Sequence, residues 1–326
     1  MQFFAPINIK NLEPSINYKD HILLTGSCFT EHIGNHLIDA KFNVLQNPNG
    51  ILFDTLSVCR SLISYVQNKQ YTEADLFYLN DCWHSWQYHS RFSNPDKDLC
   101  LHNINAAQKQ AHQFLANADW LIITLGSSFC YKLVETQAAV ANCHKAPAKE
   151  FIKHLCTIEE SVTALDTTIH KLFHFNPKLK IIFSISPVRH LRDGVVENNR
   201  SKARLIETVH HLVNKFDKLY YFPAYELVID VLRDYRFYDV DLAHPNYAAT
   251  SFVLEKFSES CFDASTISLM EEIRKIVIAR NHKPFNATSQ QHKQFLQTHL
   301  ERSKALQEKY PYLDFSKELE YFSQSK

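Results

Sequence analysis

Two nucleophile-capable side chains, Ser27 and Cys28, stand side by side directly after Gly26 and the apolar run Ile22-Leu23-Leu24. Only five glycines occur in 326 residues, and Gly26 and Gly34 bracket this stretch. A glycine at the end of a strand lets the backbone turn sharply, after which the next residues can open a helix. Ser27 would then be an N-cap, its oxygen accepting from an amide of the first turn. Cys28 would be the first helical residue, where the positive end of the dipole lowers a thiol pKa. Far along the chain, Asp241-Leu242-Ala243-His244-Pro245 sets a carboxylate three residues before an imidazole. A loop with that spacing can bring the carboxylate onto one ring nitrogen, fixing the tautomer and leaving the other free. A nucleophile, a general base and an orienting acid make up the set that acyl transfer uses. Each pattern alone also reads as structure: a capped helix beside a buried thiol, and a solvated loop with an ion pair. One follows the first strand and the other the last, and together they favour the chemical reading.

The elements that must position these residues are legible as apolar runs. Ile22–Thr25, Phe42–Leu45, Trp120–Leu125, Ile181–Ile185 and Leu219–Phe222 read as strands, nearly continuous in apolar residues rather than alternating. Strands covered on both faces of a parallel sheet have that composition. Between them lie helical periods: Phe29, Ile33 and Leu37; Leu52, Leu56, Leu62 and Ile63; and Ile152, Leu155, Val162, Leu165, Ile169 and Leu172. The alternation predicts a doubly wound sheet with helices on both faces. Chemistry in such sheets sits beyond the carboxyl ends of the strands, where Gly26, Gly126 and Ser186-Pro187-Val188-Arg189-His190 fall. Residues 70–100 are aromatic and polar without helical period and read as an insertion near the site. Residues 265–326 read as two amphipathic helices split at Lys283-Pro284-Phe285, so the chain divides at 1–264 and 265–326.

Composition excludes several classes. Thirty-five basic and 35 acidic residues balance, so nothing points to nucleic acid or an anionic membrane. No apolar segment approaches the roughly 20 residues of a spanning helix, and Met1 to Asp20 carries no secretory pattern. Eight cysteines without Cys-x-x-Cys spacing read as reduced thiols of a cytoplasmic protein. Among 18 histidines, His84, His89, His144 and His190 are the conceivable metal ligands, but no His-x-x-x-His spacing accompanies them. Neither a metal nor another cofactor is expected. Trp83, Trp86 and Tyr88 could stack on a sugar or base, but aromatics bury area first, and the core of the insertion is the expectation. Arg189 and Arg233 could clamp an acidic substrate group, or Arg233 could pair with Asp234.

Further stretches carry a family resemblance. Gly26-Ser27-Cys28-Phe29-Thr30 is similar to the naming motif of the GSCFA family, a branch of the SGNH (GDSL-like) hydrolase superfamily, with threonine where alanine is usual. Asn47-Pro48-Asn49-Gly50-Ile51-Leu52-Phe53, Thr124-Leu125-Gly126, Ala141-Asn142-Cys143-His144-Lys145, Ser186-Pro187-Val188-Arg189-His190 and Arg233-Asp234-Tyr235-Arg236-Phe237-Tyr238 extend it. The resemblance implies a three-layer αβα sandwich around a five-stranded parallel sheet of order 2-1-3-4-5. It implies hydrolysis or transfer of an acyl ester, on a small-molecule, glycan or lipid substrate. Aligned on the glycine of Gly-Asp-Ser, Cys28 takes the nucleophile's place, whereas precedent for oxygen esters favours Ser27. Gly50 resembles the glycine whose amide helps bind the oxyanion. The superfamily's third motif has an asparagine two residues after its glycine, where this chain has Ser128; either Ser128 or Asn142 would have to donate instead. Losing one such donor costs about 100- to 1,000-fold in rate. Two rival readings remain, a binding module that no longer turns over and a metal-dependent hydrolase.

Overall fold

The structure, a computed structural model, describes residues 6–323. Five strands, β1 (His21–Gly26), β2 (Asn43–Gln46), β3 (Trp120–Leu125), β4 (Lys180–Ile185) and β5 (Leu219–Phe222), form one parallel sheet. Their order is β2-β1-β3-β4-β5, with Leu23 opposite Leu45 on one side and Leu121 on the other. β1 therefore lies inside the sheet, and the order 2-1-3-4-5 is the expected one.

The helices are α1 (Cys28–Asp39), α2 (Thr55–Gln67), α3 (Lys97–Asn117), α4 (Ile158–Phe175), α5 (Gly194–Lys215), α6 (Tyr247–Cys261), α7 (Ala264–Asn281), α8 (Gln290–Lys309) and α9 (Ser316–Ser323). Alternate strand residues feed two separate cores, which explains why the runs are apolar throughout. Ile22, Leu24, Trp120 and Ile122 pack with Phe29, Ile33 and Leu37 of α1 and with Val253, Phe257, Ile273 and Ile276 of α6 and α7. Leu23, Leu121 and Ile123 pack on the other face with Leu62, Leu115, Leu165, Ile169, Leu205 and Val209 of α2–α5. Each fully buried Leu or Ile of this kind contributes about 1.5–3 kcal/mol.

Three departures from the sequence reading have local causes. Ile152 and Leu155 do not begin the helix that follows. They lie on strand Phe151–Leu155 of a small antiparallel sheet with Phe129–Leu133 and Ala139–Val140. Thr157 then starts α4 with a reciprocal capping box to Glu160, which sets the boundary. Residues 70–100 contain a hairpin, Phe77–Leu79 with Cys82–His84, and supply Tyr71, Tyr88 and Cys100 to a small core that Ile104 of α3 completes. Trp86 stacks on Phe77 at 3.6 Å between centroids, so these aromatics pack against one another. The C-terminal region has three helices rather than two. The third, α9, is held by Glu318, which is fully buried between Lys41 and Arg280, each 2.6 Å away. No helix among the described residues is long and apolar enough to cross a membrane.

Candidate active site at the carboxyl edge of the sheet

Gly26 answers to two constraints. Its φ is +141°, and a Cβ there would stand 2.2 Å from the carbonyl oxygen of Thr124 on the neighbouring strand. The chain thus leaves β1 pressed against β3, with the Gly26 N–H donating to Asn47 Oδ1 at 3.0 Å. Ser27 occupies the N-cap position of α1, but its side chain makes no capping bond. Its Oγ is buried without a hydrogen-bond partner, and the Thr30 N–H reaches the backbone carbonyl of Ser27 instead. The expected side-chain cap is absent. The Ser27 Cβ lies 3.2 Å from where a Gly126 Cβ would be, so the side chain fills the room that this glycine leaves. Cys28, by contrast, is half-buried and opens the helix.

The thiol does not behave as a bare helix start would suggest. Burial pushes the Cys28 pKa up, outweighing the Phe29 and Cys28 amides and the Lys202 charge that pull it down. The expected low-pKa thiolate is corrected to a thiol that is protonated at rest.

Asp241 and His244 form a tightly bonded pair. Asp241 Oδ2 accepts from His244 Nδ1 at 2.6 Å, while Oδ1 accepts the amides of Ala243 at 2.9 Å and His244 at 3.0 Å. These bonds hold the Asp241 carboxyl down at about 2. Nδ1 is the donor in that arrangement, which leaves Nε2 as the free base of a half-exposed ring. The loop is docked by Arg189, whose N–H reaches Ala243 O at 3.0 Å and whose Nη1 reaches Leu242 O at 3.3 Å. The Arg189 guanidinium also lies 4.1 Å from the Tyr238 ring centroid. Its contacts are those of a loop brace rather than of an anion clamp. Arg233 does not pair with Asp234, which bonds Arg236 at 3.0 Å. His32, one turn beyond Cys28, and His190 are both lowered first by burial and further by repulsion from His244.

The Gly50 and Ser128 donors implied by resemblance are engaged elsewhere. The Gly50 N–H, at a φ of +81°, donates to Asn47 O at 2.7 Å, closing a turn. Ser128 Oγ donates to Ser201 O at 2.8 Å and its N–H to Ser201 Oγ at 2.7 Å, so the buried hydroxyl braces α5. Gly126 and Ser127 both donate to Phe53 O at 2.9 Å. Asn142 Oδ1 accepts the His144 N–H at 2.8 Å, while its NH2 has no partner among the described residues. The amides of Cys28 and Phe29, with no preceding turn to bond, are the donors left at the nucleophile itself.

One residue escaped sequence reasoning. Lys202 of α5 is 1% exposed, and its Nζ donates to Gly126 O at 2.7 Å and Ser186 O at 2.6 Å. It ties the carboxyl ends of β3 and β4 together beneath the loop of Ser27 and Cys28. Burial pulls its pKa down to about 7, and the charge of Cys28 works the other way. The available signal was position, since Lys202 lies three residues before Leu205 and seven before Val209 on the apolar stripe.

Of the four histidines weighed as ligands, His84 and His144 lie together, with ring centroids 4.6 Å apart, but both ring nitrogens of His84 are already engaged. His84 uses Nδ1 on Ser93 at 2.6 Å and Nε2 on Leu79 O at 2.9 Å. His144 is buried, which lowers it to about 4, and its Nε2 meets Ser85 O. His89 bonds the Arg91 amide, and His190 sits edge-on to Phe53.

The model of the GSCFA family matches residues 21–257, and that of the GSCFA domain protein, C-terminal domain, matches residues 273–325. No curated protein matches the sequence. Among solved structures, one from Streptococcus pneumonia with the provisional name platelet activating factor is similar at a TM-score of 0.37 and 14% identity. That likeness covers 73% of this chain and 83% of the other.

Proposed function

We propose that this chain, which belongs to the GSCFA family, is an acyl-ester hydrolase or acyltransferase of SGNH type, with Cys28 as nucleophile. The observation that carries the reading is the contrast at the helix start. Cys28 is partly open and Ser27 Oγ is closed off, while Asp241 holds His244 with Nε2 free. In the proposed reaction His244 Nε2 takes the thiol proton as Sγ bonds the ester carbonyl carbon. The amides of Cys28 and Phe29 receive the oxyanion, with the Asn142 NH2 as the candidate second-loop donor. Collapse breaks the ester C–O bond, and the proton on His244 goes to the departing alkoxide. Water, or an acceptor alcohol in the transferase case, then resolves the thioester with His244 again as base. The substrate is a small-molecule, glycan or lipid ester. The eight free cysteines support a reducing, cytoplasmic setting, and we extend the proposal to a division at residues 264 and 265.

A panel of p-nitrophenyl esters tests it. Wild type should release p-nitrophenol with a thioester mass on Cys28, and Cys28→Ala should fall to the uncatalysed rate. A folded Cys28→Ala protein with full activity overturns the assignment. The binding-module reading is favoured by the engagement of Gly50, Gly126, Ser127 and Ser128. It expects no ester to be turned over by the wild type, and it does not require iodoacetamide to trap Cys28.

A further inference from the structure

We infer a zinc-binding site, separate from the Cys28 site and independent of its reading, formed by Cys130, His154, Cys156 and Glu160. It lies where the small antiparallel sheet meets the first turn of α4. Cys130 is directly opposite His154 in the strand register, so the two share a face. Cys156 is two residues beyond His154, on the same face, and its amide continues the ladder to Ser128 O at 2.9 Å. Glu160 is turned back toward the strand end by its capping role, with Oε2 accepting the Thr157 amide at 2.7 Å and His154 Nε2 at 2.8 Å. One ligand atom each from His154, Cys156 and Glu160 all lie within 4.8 Å of one another. The Cys130 and Cys156 sulfurs are in direct contact at 3.3 Å, both buried. The group carries no sequence signature, because its members are split between two strands, the residue after one of them and a helix.

The donor set selects the ion. Two thiols, an imidazole and a carboxylate suit tetrahedral Zn2+, whereas Mg2+ and Ca2+ take oxygen. Zn–S bonds of about 2.3 Å put two sulfurs about 3.8 Å apart, so the thiols need open by only about half an ångström. Binding would release the two thiol protons to solvent and leave two thiolates and one carboxylate around a dication, one negative charge in excess. Arg204 stands ready to balance it, with Nη1 donating to Leu155 O at 2.8 Å and Cys156 O at 2.7 Å. With Cys130 joining through its contact with Cys156 as the fourth ligand, the sphere would be closed, so the ion would fasten the strand to α4 rather than activate water.

The test uses the full chain, stripped with chelator under reductant and then given zinc alone or Co2+ alone. One zinc per chain should survive desalting, and Co2+ should produce a thiolate charge-transfer band. His154→Gln changes a half-exposed residue and should fold. Its zinc affinity should fall by more than the about 10- to 100-fold that losing a supporting contact causes. Cys156→Ser should weaken the band and the Cys130→Ser, Cys156→Ser double variant should lose it, while Cys82→Ser keeps it. Substoichiometric zinc in wild type, unchanged affinity in His154→Gln, or a Cys130–Cys156 disulfide in the reduced preparation would each overturn the site.

Discussion

Replacing Lys202 by methionine removes a charge held where it opposes folding most. The amine is fully buried, and burial takes its pKa from 10.5 to about 7. The unfolded chain keeps the proton up to its ordinary pKa, so between those pH values it binds more protons than the folded chain. The destabilisation is therefore complete below pH 7 and vanishes above 10.5, and stability owed to this group rises with pH. A gap of about 3.5 pH units, at about 1.4 kcal/mol per unit, amounts to about 5 kcal/mol, of which about 2 kcal/mol returns between pH 7 and 9. Methionine abolishes that slope but leaves Gly126 O and Ser186 O without their donor, at about 1–3 kcal/mol each. The two effects roughly cancel at pH 7. Urea unfolding at pH 7, 8 and 9, with both proteins made in a Cys28→Ala background to remove the coupled thiol, reads the difference, since the other shared thiols and tyrosines titrate in both and subtract out. The lysine protein should gain about 2 kcal/mol on the methionine variant across that range. A difference that stays flat with pH would refute a buried, depressed Lys202.

Ser27→Ala should leave stability within about 0.5 kcal/mol of wild type, since Oγ makes no bond to lose, where an N-cap would be worth about 1 kcal/mol. Chemical denaturation decides it, and a loss above 1 kcal/mol would mean that the hydroxyl caps α1 after all. Gly26→Ala should cost more than about 4 kcal/mol, because its Cβ meets the Thr124 carbonyl at 2.2 Å with φ at +141°. A soluble variant with the wild-type urea midpoint would contradict the close packing of β1 on β3. Glu318→Ala strands Lys41 and Arg280 beside an emptied, buried position and should cost about 3–5 kcal/mol. Hydrogen exchange should show Ser316–Ser323 losing protection before the sheet, and unchanged exchange there would show that α9 docks without the ion pairs.

The sheet was legible because burial on both faces writes near-continuous apolar strings into the chain, and Leu23 and Leu24 are both buried, in opposite cores. The small sheet at 129–155 was not, because its strands are half exposed. Ile152 and Lys153 face solvent, so the run there imitates the start of the amphipathic helix behind it. Asp241 and His244 were legible because the contact spans three residues and depends on little else. Oxyanion donors were not, since a motif names the residue but not where its N–H points. Gly50 carries the glycine that the resemblance asks for, and its amide closes a turn onto Asn47.

Cys28 and Lys202 are better understood as one arrangement than as two perturbed groups. Burial raises one and lowers the other, so near neutral pH the thiol is neutral and the amine is divided between its two forms. The hydrogen bonds suit the neutral amine. A neutral amine has two N–H groups for the two carbonyls in reach, whereas the third proton of an ammonium would meet no oxygen among the described residues, only the Tyr225 ring with its centroid 5.8 Å from Nζ. Gly126 and Ser186 thereby stay satisfied without a permanent charge beneath the sheet edge. A thiolate formed at Cys28 would restore the reason for an ammonium, because each charge offsets the desolvation of the other. The buried positive charge at Lys202 is thus disfavoured by burial while Cys28 is a thiol, and is favoured when negative charge appears at Cys28.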